Sequence, residues 1–242
     1  MTITSPLHAA LARADDTFPE PAEAVIAGAG NEQTADSLRN KRVPYYSQWG
    51  SPDWVGPIVE DGADPCEDPA WQQSGFTDPD RYRFWAKRLC GLTCLESALD
   101  FWGIEHVSRA ALLDEALAHE AYRLRGDGGV DGLIYQPFAG WLASAFGLEV
   151  QVLPAISIEE IAASIDVDTL AIVSVSPEIR YPERPNGRQG GHLILLHGRD
   201  RDGVWFHNPS GVAPYQSDVY LSFGTMSRFY AGRGMTITRP GR

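Results

Sequence analysis

Cys90 is the residue in this 242-residue chain most suited by type and place to covalent chemistry. It stands where a long loop enters a helix. The amides and dipole at a helix N-terminus stabilise a thiolate, and a nearby imidazole converts such a thiol into a nucleophile. An isolated cysteine is more often a buried, inert side chain, so its company matters. His192 opens an apolar strand directly after Gly190-Gly191, glycines that leave room for a ligand against the backbone. Asn208 closes the next strand, in HNPSG, and a hairpin sets both residues at one sheet end, where the amide can fix the tautomer of the imidazole. Gln48 precedes all three, and its amide can donate to an oxyanion. Glutamine, cysteine, histidine and asparagine together suit acyl transfer through a thioester.

The elements that must position them follow from periodicity. Leu92, Leu95, Leu99 and Trp102 share one face of a helix that starts near Cys90 and stops at Gly103. Ser108 caps a second helix carrying Leu112, Leu113, Ala116 and Leu117, and a third covers 135–146 with Phe138, Trp141, Leu142 and Phe146 inward. After Gly147 the period changes. Strands are predicted over 148–153 and 169–176, with a Ser157/Glu160 capping box opening a short helix between them. A Pro/Gly/Arg-rich loop spans 177–191, and a hairpin pairs 192–198 with 203–208. A short helix near 219–229 and a strand at 234–238 end the chain, and 42–50 is a short β-prone run. Helices first and an antiparallel sheet after is the α+β pattern.

The formal net charge is −12, with hydrophobic residues at 43%. That composition suits a globular chain, and the acidity argues against nucleic-acid binding and against anionic membrane surfaces. The excess is localised. Residues 1–40 carry a net of −4 and are expected to form a disordered tail, with Ala29-Gly30 a faint candidate cleavage site. Residues 49–80 carry −8 with no Lys or Arg, and read as a long loop held by Trp49, Trp54, Trp71 and Phe76, inserted in a domain over 41–242. There is no secretory signal and no membrane-length apolar run, so the expected compartment is the cytoplasm. Three cysteines make no disulfide framework. Cys94 reads as core, Cys66 as a structural thiol, and His197 and His207 as structural.

No metal or cofactor is expected. GDGGVDG (126–132) lacks the GK[ST] of a phosphate loop, and the carboxylates of 60–68 lack the spacing of a calcium loop. Cys90 and Cys94 with His106 have poor zinc spacing.

Four blocks, VPYYSQ (43–48), CGLTC (90–94), GGHLILLHG (190–198) and FHNPSG (206–211), resemble those of the family-39 cysteine peptidases. These are the double-glycine leader peptidases of bacteriocin export and their stand-alone relatives. The resemblance spans about residues 42–238 and implies a papain-like fold and a thiol protease. It makes Gln48 the oxyanion-hole glutamine, Cys90 the nucleophile, His192 the general base and Asn208 the orienting residue. The sequence departs from the family in three places: Leu92 replaces the proline of CGP, Asn208 stands where Asp is common, and the segment between Gln48 and Cys90 is long. An acyltransferase or peptide cyclase would use the same residues, and a non-catalytic peptide-binding module is a third reading. The expected partner is a peptide or protein, made basic if the acidic insertion borders the cleft.

Overall fold

The computed structural model describes residues 42–241. The tail over 1–40 and its candidate cleavage site lie outside the described residues.

The α+β class holds. The helices are α1 (Val55–Glu60), α2 (Pro79–Trp85), α3 (Cys90–Trp102), α4 (Arg109–Ala118), α5 (Tyr135–Phe146), α6 (Ile158–Ala163) and α7 (Phe223–Met226). The strands are β1 (Arg123–Leu124), β2 (Val130–Asp131), β3 (Glu149–Leu153), β4 (Thr169–Val175), β5 (His192–Arg199), β6 (Gly203–His207), β7 (Val219–Ser222) and β8 (Tyr230–Thr238). Strands β3 to β8 make one antiparallel sheet in the order β3-β8-β4-β5-β6-β7.

The central strands are buried on both faces, which is why TLAIV and LILL are continuous apolar runs rather than alternating ones. Along β4, Leu170 and Ile172 join the core under α3 to α5, while Ala171, Val173 and Val175 join a second core under α6 and α7. Along β5, Leu193 and Leu195 go to the first core and Ile194 and Leu196 to the second.

Local signals were accurate around the site. Gly103 ends α3 at φ +63, the Ser108 hydroxyl accepts from the Ala111 amide, and Ser157 with Glu160 forms both halves of a capping box. GDGGVDG supplies the turn of a small β1–β2 hairpin. Two expectations are corrected. Residues 219–222 pair with β6 as a strand, leaving only the four-residue α7 of the expected helix. The run 42–50 forms no strand, because no ladder partner lies beside it. Its backbone carbonyls are taken by side chains instead: His207 Nε2 donates to Val43 O at 2.9 Å and Arg109 Nη1 to Ser47 O at 2.7 Å.

The acidic segment 49–80 is not a plain loop. It folds into three 3₁₀ turns (Pro52–Trp54, Pro65–Glu67, Trp71–Ser74), helix α1 and the start of α2. Asp68 is completely buried and accepts from Ser51 N and Ser51 Oγ at 2.6 Å each and from Ala70 N at 2.9 Å. Removing those acceptors strands buried donors, so Asp68→Ala is expected to cost about 3 kcal/mol in denaturant unfolding. Asp68→Asn, which keeps one acceptor oxygen, should cost about half that. A loss under about 1 kcal/mol for both would show that Asp68 does not organise the segment.

Candidate active site

Cys90 is placed by the packing of α3 on β5. Gly91 makes that approach possible: a Cβ there would lie 3.0 Å from Leu193 Cδ1 and from Leu133 Cδ2. One turn on, the buried Cys94 thiol reaches the Leu193 carbonyl at 3.8 Å. Cys94 is therefore a core contact between helix and strand. All three cysteines are free thiols, and Cys66 rests against the Pro79 carbonyl.

At the start of β5, Gly190 and Gly191 have φ +74 and +94, a region that costs a side chain with a Cβ. The chain turns there and delivers His192 to the end of the sheet beside Asn208. His192 Nε2 lies 2.8 Å from Asn208 Oδ1 and 3.0 Å from Ser210 Oγ. The Ser210 amide donates to the same Asn208 Oδ1 at 3.2 Å. That second bond fixes the oxygen end of the Asn208 amide toward the imidazole. Nε2 must then carry the proton, and Nδ1 keeps the lone pair of a base.

Cys90 and His192 line one cavity of about 510 Å³, with Tyr122, Leu133, Tyr135 and Leu193. Gln48 is buried beside it. Its backbone amide donates to Pro209 O at 2.8 Å and its Nε2 to Ala86 O at 3.1 Å. The second hydrogen on Nε2 is not needed for that bond. Gln48 borders a neighbouring cavity of about 370 Å³ together with Trp49, Ile58, Val59, Pro65 and Arg180. Lys87 borders both cavities. Of the four residues expected from sequence, Cys90 and His192 share a cavity, Asn208 bonds His192, and Gln48 bonds the backbone of Pro209, the residue between Asn208 and Ser210.

Electrostatics correct one expectation. Helix α3 has no side-chain cap, and the amides of Leu193 and Gly91 favour the Cys90 thiolate, but burial outweighs them and pushes the thiol above its ordinary value. Burial, and next the Arg180 charge, hold His192 down at about 3, against the opposing bond from Asn208. The resting pair is therefore neutral thiol and neutral imidazole, not a preformed ion pair.

The charge around the insertion is distributed as follows. Residues of 49–80 do line the cavity beside Gln48, yet the charged residues there are Arg83, Lys87 and Arg180. Asp68 is buried, and Asp64 pairs with Arg83 at 2.8 Å. Around Cys90 the charged lining is Lys87, Arg88 and Arg233 against Asp131. Two carboxylates of the insertion are thus satisfied within it, while Asp53, Glu60, Asp61, Glu67, Asp78 and Asp80 stay exposed on its surface.

Sequence reading missed Ser210 and Arg180. Ser210 lay inside the HNPSG block, where Asn208 took the attention. Arg180 lay in the 177–191 loop, with no motif to mark it. It ends a short 3₁₀ turn (Pro177–Arg180) and donates from Nε to Ser210 O at 2.5 Å and from Nη2 to Ser210 Oγ at 2.6 Å.

Away from this site, His197, His207 and Asp218 approach one another, with their potential ligand atoms within 4.8 Å. Both His207 nitrogens are already engaged, Nε2 by Val43 O and Nδ1 by the Asp218 amide at 3.1 Å, so a structural role fits these residues. No helix among the described residues is long and apolar enough to cross a membrane.

No protein-family model matches the chain, and no curated protein matches it. Among the solved structures similar to the chain, three at low identity are the following. A putative C39-like peptidase from Bacillus anthracis is 15% identical, with 64% of this chain and 90% of that chain covered and a TM-score of 0.46. A double glycine motif protease from an AMS/PCAT transporter, in complex with the leader peptide, is 14% identical over 62% of this chain and 84% of that one, with a TM-score of 0.41. The peptidase domain of Streptococcus ComA, a bi-functional ABC transporter involved in a quorum sensing pathway, is 15% identical over 62% and 91%, with a TM-score of 0.43.

Proposed function

We propose that this chain is a papain-like cysteine peptidase that cleaves a peptide or protein amide bond through a thioester. The observation that carries the reading is the doubly held Asn208 amide, which leaves His192 Nδ1 as a base in the cavity that also holds Cys90. An inert core cysteine needs no oriented imidazole.

In the proposed cycle, Cys90 Sγ passes its proton to His192 Nδ1 and attacks the carbonyl carbon. The free hydrogen on Gln48 Nε2 and an amide of the first turn of α3 hold the oxyanion. The imidazolium gives its proton to the leaving amine, and the C–N bond breaks to leave a thioester. A water then loses a proton to His192, attacks the thioester and releases the acid, and the proton returns to sulfur. Asn208 keeps the ring in register throughout.

The test combines an active-site electrophile with a peptide library, both read by mass spectrometry. Cys90 should be labelled in preference to Cys66 and Cys94, and cleavage should be blocked by that label. Leader-type sequences are the first to try, given the four sequence blocks. An added amine that captures the acyl group faster than water would assign the site to acyl transfer. Equal labelling of all three cysteines with no cleavage would overturn the reading.

A further inference from the structure

We propose that Arg180 is the fixed positive charge of this site, a positioning residue that clamps Ser210 against His192 and whose charge favours the Cys90 thiolate and the oxyanion after it. This rests on the cysteine-peptidase reading above and adds a residue that the four sequence blocks do not contain.

Four observations support it. First, Arg180 is largely buried, and among the described residues its hydrogen-bond partners are only the Ser210 carbonyl and hydroxyl. No carboxylate among the described residues pairs with it. A guanidinium does not lose its proton in a protein, so this is a buried cation without a resident anion. Such a charge is costly, and the cost is offset if the site itself makes an anion. Peptide cleavage makes one repeatedly, on sulfur and then on the carbonyl oxygen.

Second, the position is suited to that task. Arg180 borders the same cavity as Gln48, the residue assigned to the oxyanion, and its charge acts on both Cys90 and His192. Third, the clamp is specific. Nε and Nη2 hold both oxygens of Ser210, while the Ser210 amide orients Asn208 and its hydroxyl meets His192 Nε2. One residue therefore ties the cation to both members of the His–Asn pair. Fourth, the orienting residue is Asn208. A carboxylate at that position would lie one residue contact from Arg180 and neutralise it. The neutral amide leaves the charge of Arg180 to the reacting atoms.

Other groups surround the pair. Cys94, Tyr122 and Tyr135 share the field of Cys90 and are neutral near pH 7. Lys87, Arg88, Asp131 and Arg233 lie on the open cavity wall, where solvent screens them. Tyr181 and Arg188 act on Arg180 itself, and the Tyr181 hydroxyl is bonded to Glu60. Arg180 is the cation tied to the catalytic pair.

The test needs no substrate. The rate of Cys90 alkylation by iodoacetamide is followed against pH in the wild type, Arg180→Gln and Arg180→Lys. In Arg180→Gln the profile should move to higher pH by about one, the displacement expected when one nearby cation is removed. Arg180→Lys keeps the charge and should stay near the wild-type profile. A merely structural arginine would leave the midpoint of Arg180→Gln where it was, and superimposed profiles overturn the proposal. Should Arg180→Gln not fold, Arg180→Met takes its place: it keeps the length of the side chain without its charge, should show the same displacement to higher pH, and a profile superimposed on the wild type overturns the proposal. If wild-type Cys90 is not selectively alkylated at all, the peptidase reading fails first. If it is selectively alkylated and Arg180→Gln changes nothing, only the role of Arg180 fails.

Discussion

Cys90→Ala is expected to lose at least about 10⁴-fold in kcat/KM, on the scale of removing the nucleophile from a cooperating set. The fold should survive. Cys90 is the first residue of α3, part-exposed along the cavity, and Ala is the best helix former. The contacts that dock α3 belong to its neighbours, Gly91 against Leu193 and Cys94 to the Leu193 carbonyl. Steady-state turnover of a cleaved peptide, measured beside a denaturant curve, separates the two effects. Full turnover in the variant would sink the assignment of the nucleophile. Lost turnover together with a large loss of stability would show that Cys90 packs rather than reacts.

His192→Gln is expected to lose about 10²- to 10⁴-fold in activity, the usual contribution of a positioned general base. It should also change stability in a direction set by burial. The folded imidazole takes its proton at about 3, whereas an unfolded histidine does so at about 6.5. Between those values the unfolded chain binds a proton that the folded one refuses. Wild-type stability therefore rises with pH through that window and is fully recovered above about 6.5. The glutamine introduced by His192→Gln cannot titrate. The variant should therefore be the more stable protein near pH 4 to 5, by a few kcal/mol on the order of the displaced pKa, and lose its advantage at about pH 7. His207, also lowered by burial, leaves a residual slope in the same direction. Denaturant curves at about pH 4.5 and 7 check this. Parallel wild-type and variant curves at both pH values would mean that His192 is not buried as a neutral base. The two outcomes express one fact: a base kept ready in a dry site is a burden on the fold.

Much of the site was legible because its signals are short in sequence. The start of α3 at Cys90 and its stop at Gly103 are local helix grammar. So is the hairpin that brings His192 and Asn208 together, since sixteen positions of chain with a turn between two apolar runs leave few other pairings. The central strands were legible for a different reason: strands buried on both faces are continuous apolar runs, and β4 and β5 are such strands. The misread elements lacked that support. Residues 42–50 have β-prone side chains, but a strand needs an edge to pair with, and His207 and Arg109 satisfy that backbone instead. Residues 219–222 (VYLS) form a four-residue edge strand with Tyr220 and Ser222 exposed, a stretch no longer than one helical turn and too short for its period to be read.

By itself, the sequence determined which residues can react and the elements that carry them: a thiol at a helix start, an imidazole after two glycines, an amide at the end of the next strand. It also determined the total charge of −12. Only the tertiary structure decided where that charge acts. Asp64 and Asp68 are spent on Arg83 and on the backbone of their own segment, so the acidic insertion borders a cleft lined by cations. Only tertiary structure set the protonation of the pair, because a pKa depends on burial and on charges that arrive from elsewhere in the chain. Arg180 shows why: it meets Ser210 across thirty positions of sequence, and no local pattern encodes that meeting. Chemical type is a property of the residue, whereas field and solvation are properties of everything packed around it.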